Sequence, residues 1–148
     1  MHAFRLSLSL SPHTLSLCSA VFLFIVIFSD VTGNLAETLA QFDCLVVGAP
    51  TYNTDADKQR SATAWDGVYY DELASVAASG ALKGKHVAVF GLGDQEGYAE
   101  NFAEACGELH DVFEAAGCNM FGYTSAVDGT YEHESSKAQR GDLFVALV

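Results

Sequence analysis

The chain has 148 residues, enough for one domain with one core; half are apolar and 18% charged, which excludes a disordered chain. Its formal net charge is −12, and all 19 Asp and Glu lie from Asp30 onward, against six of the seven Lys and Arg. So acidic a body repels nucleic-acid phosphates and favours basic protein partners, although acidity of this size also serves solubility alone.

Residues 1–29 are Ser-rich, contain Arg5 and no acid, and end in the apolar run Ala20–Phe28. Even counted from Leu15, this stretch is shorter than the roughly 20 residues a membrane-spanning helix needs, so membrane contact is expected only through residues 15–28. A secretory or plastid-targeting leader fits its length and charge, though no A-x-A-like cleavage site follows; a cytoplasmic protein is the alternative. The same β-branched and aromatic residues also suit a buried parallel strand, and periodicity does not separate the two. The expected division is therefore a leader or replaced first strand over 1–29 and a partial α/β domain over 30–148.

From Asp30 strands and helices alternate. Leu35–Phe42 is a short helical candidate, and Cys44–Ala49 is a continuous apolar strand. Thr51–Thr63 is polar and loop-like, and Ala64–Ala78 reads as a helix directing Trp65, Val68, Tyr69 and Leu73 to the core. The strand His86–Phe90 runs into the glycine-rich loop Gly91–Gly97. Tyr98–Ala116 then spaces Phe102, Ala105, Leu109, Val112 and Phe113 along one helical face, with Gly117 as its C-terminal cap. Cys118–Tyr123 is the next strand, Asp128–Arg140 a polar excursion and Leu143–Val148 a final strand. Apolar strands separated by helices predict a doubly wound parallel sheet with helices on both faces.

Cys18, Cys44, Cys106 and Cys118 show no metal-ligand spacing, and Cys44 and Cys106 are expected as buried thiols. His86 and His110 are expected in structural roles and His133 as a solvated loop residue. In such a sheet ligands bind beyond the carboxyl ends of the strands where the chain order switches, which selects the loops Ala49–Thr54 and Gly91–Tyr98. Each presents a tyrosine, Tyr52 and Tyr98, suited to stacking on a flat heterocycle. Glycines 91, 93 and 97 allow close backbone approach, leaving amides for the polar edge of a ring.

The segments Gly48-Ala-Pro-Thr-Tyr-Asn-Thr54, Arg60-Ser-Ala-Thr-Ala-Trp-Asp66 and Phe90-Gly-Leu-Gly-Asp-Gln-Glu-Gly-Tyr-Ala-Glu-Asn-Phe102 resemble consecutive segments of the long-chain flavodoxins. The excursion carrying Tyr131, Ser136, Lys137 and Arg140 resembles the insertion that splits the last strand in that group. The resemblance implies a flavodoxin-like fold and an FMN-dependent carrier of single electrons, not an enzyme, that meets redox proteins with basic docking surfaces. It also implies cofactor binding by Thr51, Tyr52, Asn53, Thr54, Gly91, Gly93, Asp94 and Tyr98. Tyr52 and Tyr98 would cover the two ring faces, the Asn53-Thr54 peptide would reorient toward flavin N5 on reduction, and Gly93 with Asp94 would meet the pyrimidine edge.

The pattern departs from the family at both ends. Flavodoxins begin with a strand, a Ser/Thr/Gly loop around the FMN phosphate, a long helix and a second strand, and the resemblance here starts after that block. At Val148 relatives continue into a last helix, so a truncated domain is expected. Ala20–Phe28 followed by Ser29-Asp-Val-Thr-Gly-Asn34 superficially copies a strand and phosphate loop, although Asp30 would repel phosphate. Two alternatives remain: an interaction module of this fold without FMN, and a flavin reductase-type enzyme.

Overall fold

A computed structural model describes residues 23–24, 35–51 and 72–148. Four strands form a parallel sheet in chain order: β1 (Leu23–Phe24), β2 (Cys44–Pro50), β3 (His86–Leu92) and β4 (Asn119–Phe121). Between them lie α1 (Leu35–Ala40), α2 (Leu73–Ala78) and α3 (Glu104–Ala115), the last preceded by a 3-10 turn at Ala99–Asn101. The apolar runs of β2 and β3 pair along their whole lengths, from Cys44 opposite His86 to Pro50 opposite Leu92. Val87, Ala88 and Val89 are all buried in succession, as expected of a strand covered on both faces. The expected helix Leu35–Phe42 is helical to Ala40 and closes with turns at Gln41 and Phe42. Of the helix expected at Ala64–Ala78, residues 64–71 lie outside the described residues.

Residues of the apolar run in 1–29 do enter the sheet: Leu23 and Phe24 pair in parallel with Leu45 and Val46. The described strands of the main sheet follow one another in chain order, and the expected ligand-binding end is the one at which they exit. What fixes that end is the common direction of β2 and β3, whose exits are joined by Thr51 N–H donating to Leu92 O at 3.3 Å.

The helix expected from Tyr98 to Ala116 is broken. Phe102 is extended (φ −61°, ψ 123°) and Ala103 is left-handed (φ 52°), so α3 starts only at Glu104. Phe102 and Ala103 are nevertheless fully buried, which satisfies the apolar spacing without a continuous helix. At the other end Gly117 (φ 82°) lets Cys118 N–H reach Phe113 O at 3.1 Å while Gly117 N–H bonds Glu114 O at 2.9 Å. This paired closure is the Schellman arrangement, and it needs a residue at ease in the left-handed region.

The final strand expected at Leu143–Val148 is divided. Its start, β7 (Leu143–Phe144), sits between β5 (Thr124–Ser125) and β6 (Gln139–Arg140) in a small antiparallel sheet. Its end returns to the main sheet, where Leu147 bridges Phe90 in parallel. Because the other edge of β3 is filled by β2, Leu147 lies on the edge that β4 occupies lower down, opposite His86–Ala88. One edge of β3 is thus completed by two chain segments with the excursion between them.

The excursion is clamped to α3. Lys137 Nζ lies 3.1 Å from Glu104 and 2.9 Å from Glu108, and Arg140 grips both oxygens of Asp111 at 2.8 and 3.0 Å. Gly107, facing the excursion from the same helix, lets the main chain of Lys137 and Ala138 lie directly on α3. Ala138 is fully buried, so the segment is less polar in effect than its composition implies.

Candidate functional site

The carboxyl end of β3 projects the loop Gly91–Tyr98. Asp94 organises it: its Oδ1 accepts N–H bonds from Glu96 (3.1 Å) and Gly97 (2.9 Å), and its carbonyl accepts from Tyr98 N–H at 3.0 Å. A side chain that holds its own loop in this way is an Asx turn. The Asp94 carboxylate therefore faces its own backbone, and what remains for a ring edge is main chain. Among the described residues the N–H groups of Gly93, Asp94 and Gln95 have no hydrogen-bond partner. Beside them Leu92 is 70% and Tyr98 67% exposed, large apolar side chains held in solvent at the mouth of the sheet.

The glycines also serve the protein's own packing. Gly91 is buried in β3 with its N–H on Leu147 O at 3.1 Å. A Cβ at Gly93 would stand 2.7 Å from Phe102 Cδ2 and 2.8 Å from Ala103 N, and one at Gly97 2.6 Å from Asp94 Oδ2. At 93 and 97 the close approach is made by the protein's own Phe102 and Asp94. Thr51, the first residue of the other loop, accepts Ala105 N–H on its Oγ1 at 3.3 Å and so ties the exit of β2 to the first turn of α3. Tyr52, Asn53 and Thr54 lie outside the described residues.

Two features of the site were not foreseen from the sequence. Gln95 Oε1 accepts Glu132 N–H at 2.9 Å, joining the loop to the excursion. His133, expected in solvent, packs instead against Phe102 (5.2 Å between centroids) and Phe144 (5.4 Å). Its Nε2 meets Gln139 Oε1 at 2.7 Å, and its buried Nδ1 has no partner among the described residues. The reason is long-range: Phe102, Tyr131 and Phe144 form one aromatic cluster into which the imidazole is drawn. No local pattern around residue 133 announces that cluster. His110, expected in a structural role, is buried with Nε2 3.1 Å from Tyr123 Oη.

Burial pushes the Cys106 thiol up to about 12, only partly offset by a backbone hydrogen bond. Burial also raises Cys118 to about 11 against the opposing charge of Lys85. Neither is a nucleophile at neutral pH.

The sequence profile of the Flavodoxin family matches residues 26–140. The chain belongs to the flavodoxin family. It is 38% identical to a flavodoxin of Synechococcus elongatus over 124 residues, which are 84% of this chain and 66% of that one. It is 37% identical to a flavodoxin of Klebsiella pneumoniae (80% and 66% covered) and 31% identical to flavodoxin 2 of Escherichia coli (84% and 66%). The chain thus spans 66% of the length of these flavodoxins. Among solved structures, the flavodoxin of Fusobacterium nucleatum bound to flavin mononucleotide superposes with a TM-score of 0.57 at 23% identity, covering 74% of this chain and 59% of that one. A point variant of it, also bound to flavin mononucleotide, gives 0.59 at 23% identity, covering 74% and 58%. The fold expected of this family is therefore the fold observed.

Proposed function

We propose that this flavodoxin binds FMN at the loops leaving β2 and β3 and carries single electrons between redox proteins, without itself being an enzyme. The observation that carries this reading is the exposed pair Leu92 and Tyr98 beside three main-chain donors without a partner among the described residues, at the carboxyl end of β3. An apolar and aromatic wall next to fixed N–H groups suits a flat heterocycle with one polar edge. The bound flavin supplies the redox chemistry; the chain orients the ring, limits its contact with water and sets the local electrostatics. Tyr98 would cover one ring face and Tyr52 the other, with Thr51, Asn53 and Thr54 along the same exit. The amides of Gly93 and Asp94 would meet the ring edge, while Gly91 holds the strand from which the loop departs.

Carboxylates of Asp94, Glu96, Glu100, Glu132 and Glu134 lie on exposed residues of this loop and of the segment bonded to it. They would disfavour an anionic reduced ring and favour partners with basic docking surfaces. For residues 1–29, the pairing of Leu23–Phe24 with β2 supports a strand within the sheet over a removable plastid or secretory leader. Deleting residues 1–29 would then lower the thermal midpoint clearly; an unchanged midpoint would favour the leader instead.

Titration of the full chain with riboflavin and with FMN tests the reading, because riboflavin reports ring contacts alone. Tyr98→Ala should weaken riboflavin by roughly two- to tenfold, the equivalent of about 0.5 to 1.5 kcal/mol of aromatic contact. Indifference of riboflavin to Tyr98 would remove the ring from this loop. Absence of any flavin binding tighter than about 1 mM would leave an interaction module of flavodoxin fold.

A further inference from the structure

Every described tie from the excursion to the ring loop and its continuation through Phe102 comes from one short stretch, residues 131–135. Glu132 N–H is held by Gln95 Oε1 at 2.9 Å. Glu134 and Ser135 both donate N–H to Ala99 O at 3.0 and 3.1 Å, and Phe102 N–H donates to Ser135 O at 3.2 Å. The Ser135 hydroxyl donates to Glu100 O. Beneath the loop, Gly93 rests against the Phe102 ring, and Phe102 packs on Tyr131 at 5.4 Å between centroids. The far end of the excursion is fixed to α3 through Lys137 and Arg140. A continuous path of contacts therefore leads from α3 through the excursion to the loop that carries Leu92 and Tyr98.

Within residues 94–98 the Asx turn makes the loop rigid internally but does not fix it to the rest of the molecule. Among the described residues, Gln95 has the only side chain of those five with a hydrogen bond that leaves the loop. Gln95 is half-buried, and its side-chain oxygen is engaged by the excursion. We propose that Gln95 is a positioning residue through which the excursion braces the ring loop, so that the loop is held in its binding conformation before a ring arrives. The proposal rests on the flavin reading for its consequence in affinity and on geometry alone for its consequence in loop order. A loop already ordered loses less conformational freedom on binding, which is the general origin of affinity gained by preorganisation.

The test uses Gln95→Ala, which removes the acceptor, and Gln95→Glu, which keeps an acceptor oxygen in its place. Amide hydrogen exchange over residues 94–99 is followed without flavin, riboflavin affinity is measured on the same samples, and thermal midpoints are recorded. Lys137→Met, which loosens the far end of the excursion from α3, is the reference for destabilisation of the excursion as a whole. Gln95→Ala is expected to speed exchange over 94–99 and to weaken riboflavin by roughly two- to tenfold. Its thermal midpoint should fall less than that of Lys137→Met, and Gln95→Glu should restore both loop readouts. Exchange unchanged in Gln95→Ala, or no restoration by Gln95→Glu, overturns the brace. If the unsubstituted chain binds no riboflavin while exchange responds as expected, the flavin reading fails and the brace stands. If riboflavin binds but neither readout responds to Gln95→Ala, the flavin reading stands and the brace fails.

Discussion

Replacing Gly107 by Ala sets two physical effects of opposite sign against each other. Gly107 lies inside α3, where alanine is favoured over glycine by about 1 kcal/mol, so helix propensity alone predicts a more stable protein. The added Cβ, however, would stand 2.7 Å from Ala138 N and closer still to the carbonyl of Lys137. Those atoms are main chain and cannot rotate away, so the excursion must lift off the helix. Overpacking of this kind costs about 1 to 3 kcal/mol. Lifting Lys137 also leaves the buried Glu104 carboxylate, 7% exposed, without its partner, a loss of about 1 to 3 kcal/mol. The penalties outweigh the gain by roughly 3 kcal/mol, which lowers the thermal midpoint by roughly 6 to 12 °C in a domain of this size. Thermal and urea unfolding of Gly107→Ala and the parent protein measure the difference. A midpoint that rises would refute the reasoning, because it would mean that the excursion does not lie on α3.

The remaining expectations are simpler. Stability should fall above pH about 9, since Cys106 and Cys118 are held neutral in the fold well above the value at which an unfolded thiol ionises. Thiols with raised values stabilise fully below the unfolded value and lose that contribution as pH climbs toward the folded one, with Cys106 alone giving up on the order of 1 kcal/mol by pH about 10. Tyr123, raised by burial and by Glu114, and Lys137 act in the same direction. For Lys137 burial alone would lower the value, and its bonds to Glu108 and Glu104 outweigh it. Urea midpoints that stay flat from neutral pH to pH about 10 would contradict this. Gly117→Ala should cost about 1 to 2 kcal/mol from backbone strain alone, because a Cβ there would meet Lys83 only at ordinary contact distance, 3.5 Å or more. Urea unfolding of that variant should show a lower midpoint with an unchanged slope. Thiol-reactive reagents should label Cys44, Cys106 and Cys118 slowly in the folded protein and rapidly in denaturant, since all three are buried.

Much of the fold was legible because its signals are local. The apolar runs at Cys44 and His86 announce two buried parallel strands, and Gly117 after the periodic residues of α3 announces its end. The break at Phe102–Ala103 was hidden because the apolar spacing continues through it, and alanine carries no mark of left-handed backbone. The division of the last strand was hidden for a different reason: pairing of Leu143–Phe144 with Thr124–Ser125 and Gln139–Arg140 is decided by partners across the excursion. At the site, the two loops could be chosen from the sequence, and the bond from Thr51 to Leu92 brings their starts together. The inward turn of Asp94 and the joint at Gln95 could not be foreseen, since both depend on which backbone groups lie within reach of a short polar side chain.

The interrupted edge of β3 has a consequence for the order in which the protein folds. The lane opposite His86–Ala88 can be filled by β4 as soon as α3 is in place, because only the turn after α3 intervenes. The place opposite Phe90 must wait until the chain has travelled from Phe121 to Leu147 and returned. Closing a detour of roughly 25 residues costs more chain entropy than a short link, by about 1 to 2 kcal/mol. Contacts at Leu147, Tyr131 and Phe144 should therefore form late, after the transition state has ordered β2, β3 and α3. Substitutions in the excursion would then speed unfolding more than they slow folding. The excursion that braces the loop after β3 would be both the last part to assemble and the first to open.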